Sequence, residues 1–179
     1  MKLILLDRDG VINHDSPDYV KTPDEWLPIE GSIEAIAQLY KAGWRIFVVS
    51  NQSVIGRQLA TVEALAKIHE KMQKLLISNG GQIDGLFFCP HHPDDDCRCR
   101  KPKTGLFEDL AKRMNISLKK VPYVGDTMND LKAAKKIGAQ AILVRSGQGA
   151  TTEANSKLPK SVLVFDNLAD VANHLRKQS

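Results

Sequence analysis

The sequence predicts an α/β protein in which helices cover both faces of a parallel β-sheet. Six short apolar runs are separated by segments whose apolar residues recur at helical spacing. This alternation favours parallel pairing, because each helix carries the chain back to the same edge of the sheet. Several runs end in polar residues, which is typical of open sheets that bind ligands at the carboxyl ends of their strands. The predicted strands span residues 2–6, 45–49, 85–89, 121–124, 141–144 and 162–165.

The helices follow from apolar periodicity and from the residues at their ends. The longest segment, 61–78, places its apolar residues on one face. Gly43 and Gly138 follow two of the helical patterns and are expected to end them. Segment 11–28 has little periodicity and is expected to form a loop or flap over the end of the first strand, whereas 147–160 is expected to be an irregular surface connection. The predicted helices are 32–41, 61–78, 106–114, 130–137 and 167–176.

Length and composition are those of one globular domain spanning residues 1–179, with 42% hydrophobic and 26% charged residues. The net charge of +4 is mild and the basic residues are scattered, so nucleic acid is not an expected partner. No apolar run approaches membrane-spanning length, and the chain enters a strand at once without signal-peptide architecture. We therefore expect a cytoplasmic protein that acts as a monomer, with no membrane partner.

Two carboxylates follow the first apolar run. Asp7 and Asp9 stand directly after residues 3–6 and precede Gly10. Alternate residues of an extended chain point the same way, so both side chains can face one pocket. Such a pair can hold a cation, attack phosphorus or transfer a proton. A D-x-D-G sequence also occurs in turns and calcium loops, so the motif needs support from elsewhere in the chain.

Polar residues also follow three further predicted strands. The second strand ends in Ser-Asn-Gln-Ser at 50–53, the third leads towards Arg100 and Lys101, and the fourth ends at Asp126 with Asp130 four residues later. Each set alone could belong to a turn. Their joint position after buried strands predicts one polar site. All three cysteines lie between residues 89 and 99, and this clustering indicates a metal rather than disulfides distributed through the fold.

Four motifs resemble those of the haloacid dehalogenase superfamily of phosphohydrolases. They are DRDGV at 7–11, SNQS at 50–53, RKP at 100–102 and GDTMND at 125–130, and the likeness covers about the first 145 residues. The segment CPHHPDDDCRCRKP is similar to the zinc loop of one branch of the superfamily. The resemblance implies a Rossmann-like three-layer fold, a parallel sheet with helices on both faces, and no large cap domain.

The resemblance assigns the chemistry to matching positions. Asp7 is the implied nucleophile, which forms an aspartyl-phosphate, and Asp9 is the implied general acid and base. Asp7, Asp126 and the main-chain carbonyl of Asp9 are the implied magnesium ligands, because an oxygen set suits this hard ion. Ser50 and Lys101 are expected to contact the transferring phosphoryl group.

Further residues are implied to bind the substrate. Arg100 offers a fork for a second phosphate or a sugar hydroxyl, and the flap residues Asp15 and Tyr19 are candidates for reading hydroxyl groups. Asp130 either supports the site from behind or is simply an acidic residue at a helix start. Several relatives carry lysine where this chain has Thr127, which leaves a positive charge missing there. The implied substrate-binding set is Asp15, Tyr19, Ser50, Asn51, Gln52, Ser53, Arg100 and Lys101.

A structural zinc site is the expected role of the cysteine loop. Cys89, His91, Cys97 and Cys99 supply four ligands, which closes the coordination sphere. The zinc is expected to shape the loop that delivers the basic pair of the third motif. His92 is the alternative fourth ligand, and reduced thiols or a redox pair of Cys97 and Cys99 are the alternatives to a metal.

The resemblance implies a magnesium-dependent phosphatase that removes the 7-phosphate from D-glycero-D-manno-heptose 1,7-bisphosphate, which serves lipopolysaccharide core synthesis. Histidinol phosphate, a substrate of the same branch, is the alternative. A phosphoacceptor signalling domain also uses a strand-end aspartate with magnesium, but a resident acid/base at Asp9 would hydrolyse its acyl phosphate. A zinc module for nucleic acid is disfavoured because no base-reading helix of zinc-finger type follows the cysteines.

Overall fold

The computed structural model describes residues 2–155 and 158–177. Its strands form one six-stranded sheet in which every pairing is parallel. The strands are β1 (Lys2–Leu6), β2 (Trp44–Asn51), β3 (Gly85–Cys89), β4 (Pro122–Gly125), β5 (Gln140–Val144) and β6 (Leu163–Phe165). Their order is β3-β2-β1-β4-β5-β6. All six predicted strands are present, with ends that differ by at most a few residues, and the predicted Rossmann-like class is confirmed.

The strand order reverses beside β1, which pairs with β2 on one side and with β4 on the other. An open α/β sheet has a crevice at such a reversal, outside the carboxyl ends of the strands. Asp7 follows β1 there, and its amide still donates to the Val124 carbonyl at 2.9 Å. Asp126 follows β4. The topology therefore brings two acidic residues from distant parts of the chain to one point.

Strand alternation divides the core into two clusters, one on each face of the sheet. Ile4 and Leu6 pack with the apolar residues of the first, second and last helices. Leu3 and Leu5 pack on the opposite face with the third and fourth helices. Both faces of β1 are covered, which is why its sequence is a continuous apolar run rather than an alternating one.

The helices are α1 (Ser32–Lys41), α2 (Val62–Ser78), α3 (Gly105–Met114), α4 (Met128–Ile137), α5 (Gly149–Asn155) and α6 (Leu168–Lys177). The Thr61 side chain caps α2 by accepting from the Ala64 amide. A capping box of Thr127 and Asp130 begins α4 two residues earlier than predicted. Gly138 ends α4 as expected, with a φ of 70°. The prediction that 147–160 is irregular was wrong, because α5 occupies part of it; this helix is short and polar, so it has no apolar period to detect.

Segment 11–28 contains no regular helix or strand and lies beside the carboxyl end of β1, as predicted for the flap. It is nevertheless well packed, since the Trp26 side chain is fully buried in the core. Lys71 of α2 fastens it by donating to the carbonyls of Pro23 at 2.6 Å and Trp26 at 3.0 Å. Among residues 2–155 and 158–177 there is no second sheet and no cap domain, in agreement with the prediction. None of the helices described is long and apolar enough to span a membrane.

Candidate active site

A cleft of about 540 Å³ opens at the carboxyl ends of β1, β2 and β4. It collects every residue that the sequence assigned to catalysis, magnesium or substrate. Residues from the flap, from the turn after β2, from the loop before α3 and from the start of α4 share its walls. The sequence-predicted residues that line it are Asp7, Asp9, Asp15, Tyr19, Ser50, Asn51, Gln52, Ser53, Arg100, Lys101 and Asp126.

Asp7 lies at the base of the cleft with its carboxylate held on both sides. Its Oδ1 accepts from the Arg8 amide at 2.7 Å, and its Oδ2 lies 2.9 Å from the Lys101 ammonium group. Burial raises the pKa of Asp7 to about 7, and the attraction of Lys101 only partly offsets this effect. Such a carboxylate is under-solvated, and bound cations or a nearby phosphorus centre would both lower its energy.

Lys101 is almost completely buried and has more acceptors than protons. Its Nζ lies 2.9 Å from the Val49 carbonyl, 3.0 Å from the Tyr123 hydroxyl, 2.9 Å from Asp7 and 2.7 Å from Asp130. An ammonium group donates only three hydrogen bonds. Burial opposes the charged form, but Asp130 and Asp7 outweigh it and raise the pKa of Lys101 above its usual range. The side chain is therefore a fixed positive charge beside Asp7.

Asp126 presents one carboxylate oxygen without a partner. Its Oδ2 accepts from the Gln148 amide at 2.8 Å, whereas the buried Oδ1 has no hydrogen-bond partner. Burial, and then the charges of Asp7 and Asp130, raise the pKa of Asp126 to about 8. A buried oxygen of this kind is costly unless a cation or a proton meets it. The residues present therefore fit a hard divalent cation such as magnesium.

Two glycines make room for the Asp126 carboxylate. A Cβ atom at Gly10 would lie 2.0 Å from Asp126 Oδ2, and one at Gly147 would lie 2.3 Å from the same oxygen. Both glycines have positive φ angles, of 80° and 58°. The backbone thus approaches the carboxylate more closely than any side-chain-bearing residue allows.

Asp130 is close to the other acids but is already saturated. Its Oδ1 accepts from Lys101 at 2.7 Å and from the Tyr123 hydroxyl at 2.7 Å. Its Oδ2 accepts from the amide of Thr127 at 3.0 Å and from its hydroxyl at 2.6 Å. With four donors it has no vacant site for a cation, although it lies within 4.8 Å of Asp7 and Asp126. Both interpretations of Asp130 therefore apply, because it caps the start of α4 and also supports the site by binding Lys101.

Both carboxylate oxygens of Asp9 accept hydrogen bonds from side-chain nitrogen atoms. Arg8 donates to its Oδ1 from Nε at 3.0 Å and from Nη2 at 2.7 Å, and Asn13 Nδ2 donates to the same oxygen at 2.9 Å. Gln52 Nε2 donates to Oδ2 at 2.8 Å. Burial would raise the pKa of Asp9, but the Arg8 charge and these donors prevail and hold it below its ordinary value. The two carboxylates of the first motif thus have opposite environments.

The turn after β2 connects the cleft to the cysteine loop. Ser50 Oγ accepts from Gln52 Nε2 at 2.8 Å, which leaves its own proton free to donate. Asn51 uses its side chain to pair with the backbone of Lys101, accepting from the amide at 3.0 Å and donating to the carbonyl at 3.2 Å. The side chain of Asn51 therefore positions the lysine segment as well as lining the cleft.

The rim of the cleft carries the remaining candidates. Arg100 lines the cleft, and its buried Nη1 has no hydrogen-bond partner. The Arg57 guanidinium lies over the Tyr19 ring at 5.5 Å. Asp15 Oδ2 accepts from Gln148 Nε2 at 2.9 Å, which joins the flap to the loop before α5.

The cysteine loop brings together four ligand atoms that all lie within 4.8 Å of one another. Cys89 Sγ lies 3.5 Å from Cys97 Sγ and 3.2 Å from Cys99 Sγ, and His91 Nδ1 lies 3.1 Å from Cys99 Sγ. These separations exclude disulfides and suit four donors around one ion. His92 is directed elsewhere, with its Nδ1 accepting from the Asp94 amide at 3.3 Å. The cluster therefore fits a structural zinc ion bound through His91.

The cysteine loop is tied to the turn after β2 at two places. The Gln52 amide donates to the Cys89 carbonyl at 2.8 Å, and the Gly56 amide donates to the Pro90 carbonyl at 2.7 Å. A Cβ atom at Gly56 would lie 2.2 Å from the His92 amide nitrogen. The loop therefore supports the turn after β2 in addition to delivering Arg100 and Lys101.

Three residues at or next to the cleft were missed from the sequence. Gln148 and Thr152 line it, and Thr152 Oγ1 donates to the Asp126 carbonyl at 2.8 Å. Both lie in the segment predicted to be irregular, where Gly147 and Gly149 were the only signal of a close approach. No motif surrounds His69 in the sequence, and the structure shows that it is half-buried with its Nε2 3.2 Å from Arg8 Nη1.

Comparison with known proteins gives one consistent result. The HAD-hydrolase-like family model matches residues 98–171. A D-glycero-beta-D-manno-heptose-1,7-bisphosphate 7-phosphatase of Bordetella bronchiseptica is 46% identical over 179 residues, all of both chains, and one of Pseudomonas putida is 46% identical over 98% of this chain and 99% of its own. The crystal structure of the heptose bisphosphate phosphatase from B. bronchiseptica, complexed with magnesium and phosphate, superposes with a TM-score of 0.98 over all of both chains at 46% identity. The corresponding structure from Burkholderia thailandensis gives 0.78 at 38% identity over 98% of each chain.

Proposed function

Because the chain belongs to the D-glycero-beta-D-manno-heptose-1,7-bisphosphate 7-phosphatase family of HAD-like hydrolases, we propose that it hydrolyses the 7-phosphate of D-glycero-D-manno-heptose 1,7-bisphosphate. The observation that carries the proposal is that two cationic side chains, Arg100 and Lys101, line one cleft with Asp7. Lys101 lies beside Asp7, and Arg100, whose Nη1 has no hydrogen-bond partner, also lines the cleft. A bisphosphate has one phosphate group for Lys101 and a second for Arg100.

Asp7 is the proposed nucleophile. Its carboxylate attacks phosphorus, the bond to the sugar oxygen breaks, and an aspartyl-phosphate forms. Asp9 is the proposed carrier of the proton that goes to the leaving oxygen, although its donors hold its pKa low in the free protein, and it then takes a proton from the water that attacks the intermediate. That second displacement releases inorganic phosphate and restores Asp7. The burial of Asp7 supports this role, because a poorly solvated carboxylate is a stronger nucleophile than a hydrated one.

Magnesium is proposed to bind between Asp7 and Asp126, with the main-chain carbonyl of Asp9 as a third protein ligand. The unpartnered Oδ1 of Asp126 supports this assignment, and the Gln148 amide fixes the second oxygen of the same carboxylate. When bound, magnesium would neutralise the repulsion between the acids and the substrate phosphate. Asp130 takes no part as a ligand and acts by holding Lys101.

The phosphoryl oxygens are proposed to be held by Lys101 and by the Ser50 hydroxyl, because phosphoryl transfer depends on positioning and charge. The second amide proton of Asn51 is a further donor. Arg100 is the proposed partner of the second phosphate. The flap and the turn after β2 are proposed to contact the sugar through Asp15, Tyr19, Gln52 and Ser53, all of which line the cleft.

Zinc is proposed as a structural ion held by Cys89, His91, Cys97 and Cys99. It would act on the reaction only through the loop, which reaches Gln52 and Lys101. We further propose that residues 1–179 act as one domain in the cytoplasm, as a monomer, with no nucleic-acid or membrane partner. The single sheet and the mild net charge of +4 support these proposals.

The test is magnesium-dependent phosphate release from heptose 1,7-bisphosphate, as both anomers, beside histidinol phosphate. We expect preference for one heptose anomer. Preference for histidinol phosphate would assign the enzyme to histidine synthesis with the same catalytic residues. The variant Arg100→Gln tests the role proposed for Arg100. It should reduce hydrolysis of heptose bisphosphate more than hydrolysis of a monophosphate, since only the bisphosphate has a second phosphate for Arg100 to bind.

A further inference from the structure

Arg8 is a fully buried cation that the phosphatase mechanism does not use. It follows β1 between Asp7 and Asp9, is fully buried, and extends towards α2. Its Nε and Nη2 donate to Asp9, and its Nη1 lies 3.2 Å from His69 Nε2. A buried guanidinium is tolerated only when its donors are satisfied. Asp9 and His69 together meet that need.

His69 is the far end of this chain of contacts. It projects from α2, and its ring packs on Phe88 of β3 with the centroids 5.8 Å apart. Arginine has only donors, so His69 Nε2 must accept and the imidazole must be neutral with its proton on Nδ1. Burial, and then the Arg8 charge, lower the pKa of His69 to about 4, which is consistent with a neutral ring.

The orientation of Asp9 depends on the orientation of Arg8. The fork of Arg8 contacts both oxygens of Asp9, at 2.7 Å and 3.1 Å from Nη2. Without His69 an Nη1 group would be left in the interior without this acceptor, and the guanidinium would turn to find another. Asp9 would then keep only its contacts with Asn13 and Gln52 and would lose the fork that fixes its orientation towards the cleft.

We propose that His69 is a positioning residue of the reaction, which fixes Arg8 and through it aims Asp9 at the leaving oxygen. This inference rests on the proposed function only in taking Asp9 as the proton donor. His69 itself touches neither the substrate nor the metal site, since it lies on α2 behind Arg8 and outside the cleft.

Leaving-group dependence separates this role from a merely structural one. An alkyl phosphate needs a proton on its departing oxygen, whereas p-nitrophenyl phosphate departs as a stable phenolate without one. The quantity kcat/KM reports the steps up to departure of the leaving group and excludes hydrolysis of the aspartyl-phosphate. A misaimed Asp9 should therefore lower kcat/KM for the sugar phosphate far more than for the aryl phosphate.

The experiment compares His69→Leu with His69→Gln, whose amide oxygen can accept from Arg8 at the position of Nε2. For His69→Leu we expect kcat/KM to fall about 30-fold with heptose 1,7-bisphosphate and less than about 3-fold with p-nitrophenyl phosphate, part of what a general acid contributes. His69→Gln should restore the sugar phosphate activity to within about 3-fold of the wild type. His174→Leu is the matched control, because His174 is also a half-buried helical histidine that packs on a phenylalanine ring, at 5.0 Å from Phe165. It should leave both substrates unaffected.

Equal losses on both substrates, or failure of His69→Gln to restore activity, would overturn the proposal. If His69→Leu does not fold, His69→Asn replaces it, because its amide is too short to reach Arg8. If the wild type turns over histidinol phosphate instead of the heptose bisphosphate, the proposed substrate is wrong. The same ratio is then measured with histidinol phosphate, which is also an alkyl phosphate, so the two failures are distinguishable.

Discussion

The main-chain carbonyl of Cys89 accepts a hydrogen bond from the Gln52 amide at 2.8 Å. Cys89 is the last residue of β3 and one of the four proposed zinc ligands. Gln52 in turn donates from its side chain to Asp9 at 2.8 Å and to Ser50 at 2.8 Å. A ligand of the structural metal is thus two hydrogen bonds away from the proposed acid/base.

Zinc removal is therefore expected to reduce activity through this connection. We expect the zinc-free protein to lose about 10-fold or more in kcat, the usual scale for outer contacts of a metal site. Amide exchange should increase for 89–101 and at Gln52. A sample depleted only of magnesium and then reloaded is the control. Full activity in protein shown by elemental analysis to be zinc-free would refute the connection.

The substitution Asp7→Asn should abolish turnover without harming the fold. An amide cannot form the aspartyl-phosphate, so we expect phosphate release to fall by at least about 10³-fold. Stability should not decrease, because the charge of Asp7 is buried near Asp126 and Asp130 and its pKa is already raised to about 7. Phosphate release and thermal unfolding are the two measurements. Turnover at a normal rate would remove Asp7 as the nucleophile.

The substitution Gly147→Ala should weaken magnesium binding. Its new methyl group would lie 2.3 Å from Asp126 Oδ2 and 2.4 Å from Gly10 Cα, so the Asp126 carboxylate and the backbone at Gly10 would both have to move. Gly138→Ala is a matched control, since its φ of 70° is equally strained but the nearest atom, Lys119 Cγ, is 3.7 Å away. Each variant should lose about 1–2 kcal/mol of stability from the positive φ.

Magnesium titration of activity distinguishes these two glycines. We expect the magnesium concentration for half-maximal activity to rise about 10-fold in Gly147→Ala, a loss of about 1.4 kcal/mol in binding. It should stay unchanged in Gly138→Ala. Equal magnesium requirements in both variants would show that Asp126 does not depend on the close approach of the backbone at Gly147.

The stability of the protein should respond to acid through His69. Its pKa is lowered from 6.5 to about 4 by burial and by Arg8, so the unfolded chain binds the proton more readily than the folded one. The stabilisation from the neutral ring is complete above pH 6.5 and is lost as the pH falls towards 4, at up to about 1.4 kcal/mol per pH unit.

Denaturant unfolding of wild type and His69→Gln between pH 7 and pH 4 measures this effect. The wild type should lose more stability than the variant, so the difference between them should change with pH. Protonation of the zinc ligands at low pH destabilises both proteins equally, so its effect cancels in the difference between their unfolding free energies. A difference in unfolding free energy that is constant over this range would show that His69 does not titrate as its burial implies.

The sheet was predictable because buried parallel strands are continuous apolar runs bounded by polar residues, as at Leu3 to Leu6. The cleft followed, since the carboxyl ends of such strands share one edge. Helix α5 was not predictable, because its sequence GATTEAN has no apolar face and its formation depends on contacts with the rest of the fold.

The partners of individual side chains were beyond the sequence for a different reason. His69 and Arg8 are 61 residues apart, and only the packing of α2 on the sheet brings them together. The four donors that occupy the Asp130 carboxylate are likewise visible only in the folded structure. The sequence shows that an acid begins a helix there, but Lys101 reaches it only when the loop before α3 is folded.

The surplus of acceptors around Lys101 has a consequence for solvation. Four oxygens compete for three protons within 3.0 Å of Nζ, so the ammonium group has already exchanged its water for protein oxygens during folding. A phosphate oxygen that arrives beside it replaces one of those oxygens and strips no water from the ammonium. The free-energy cost of dehydrating the ammonium group is thus met when the chain folds, and it does not recur in each catalytic cycle.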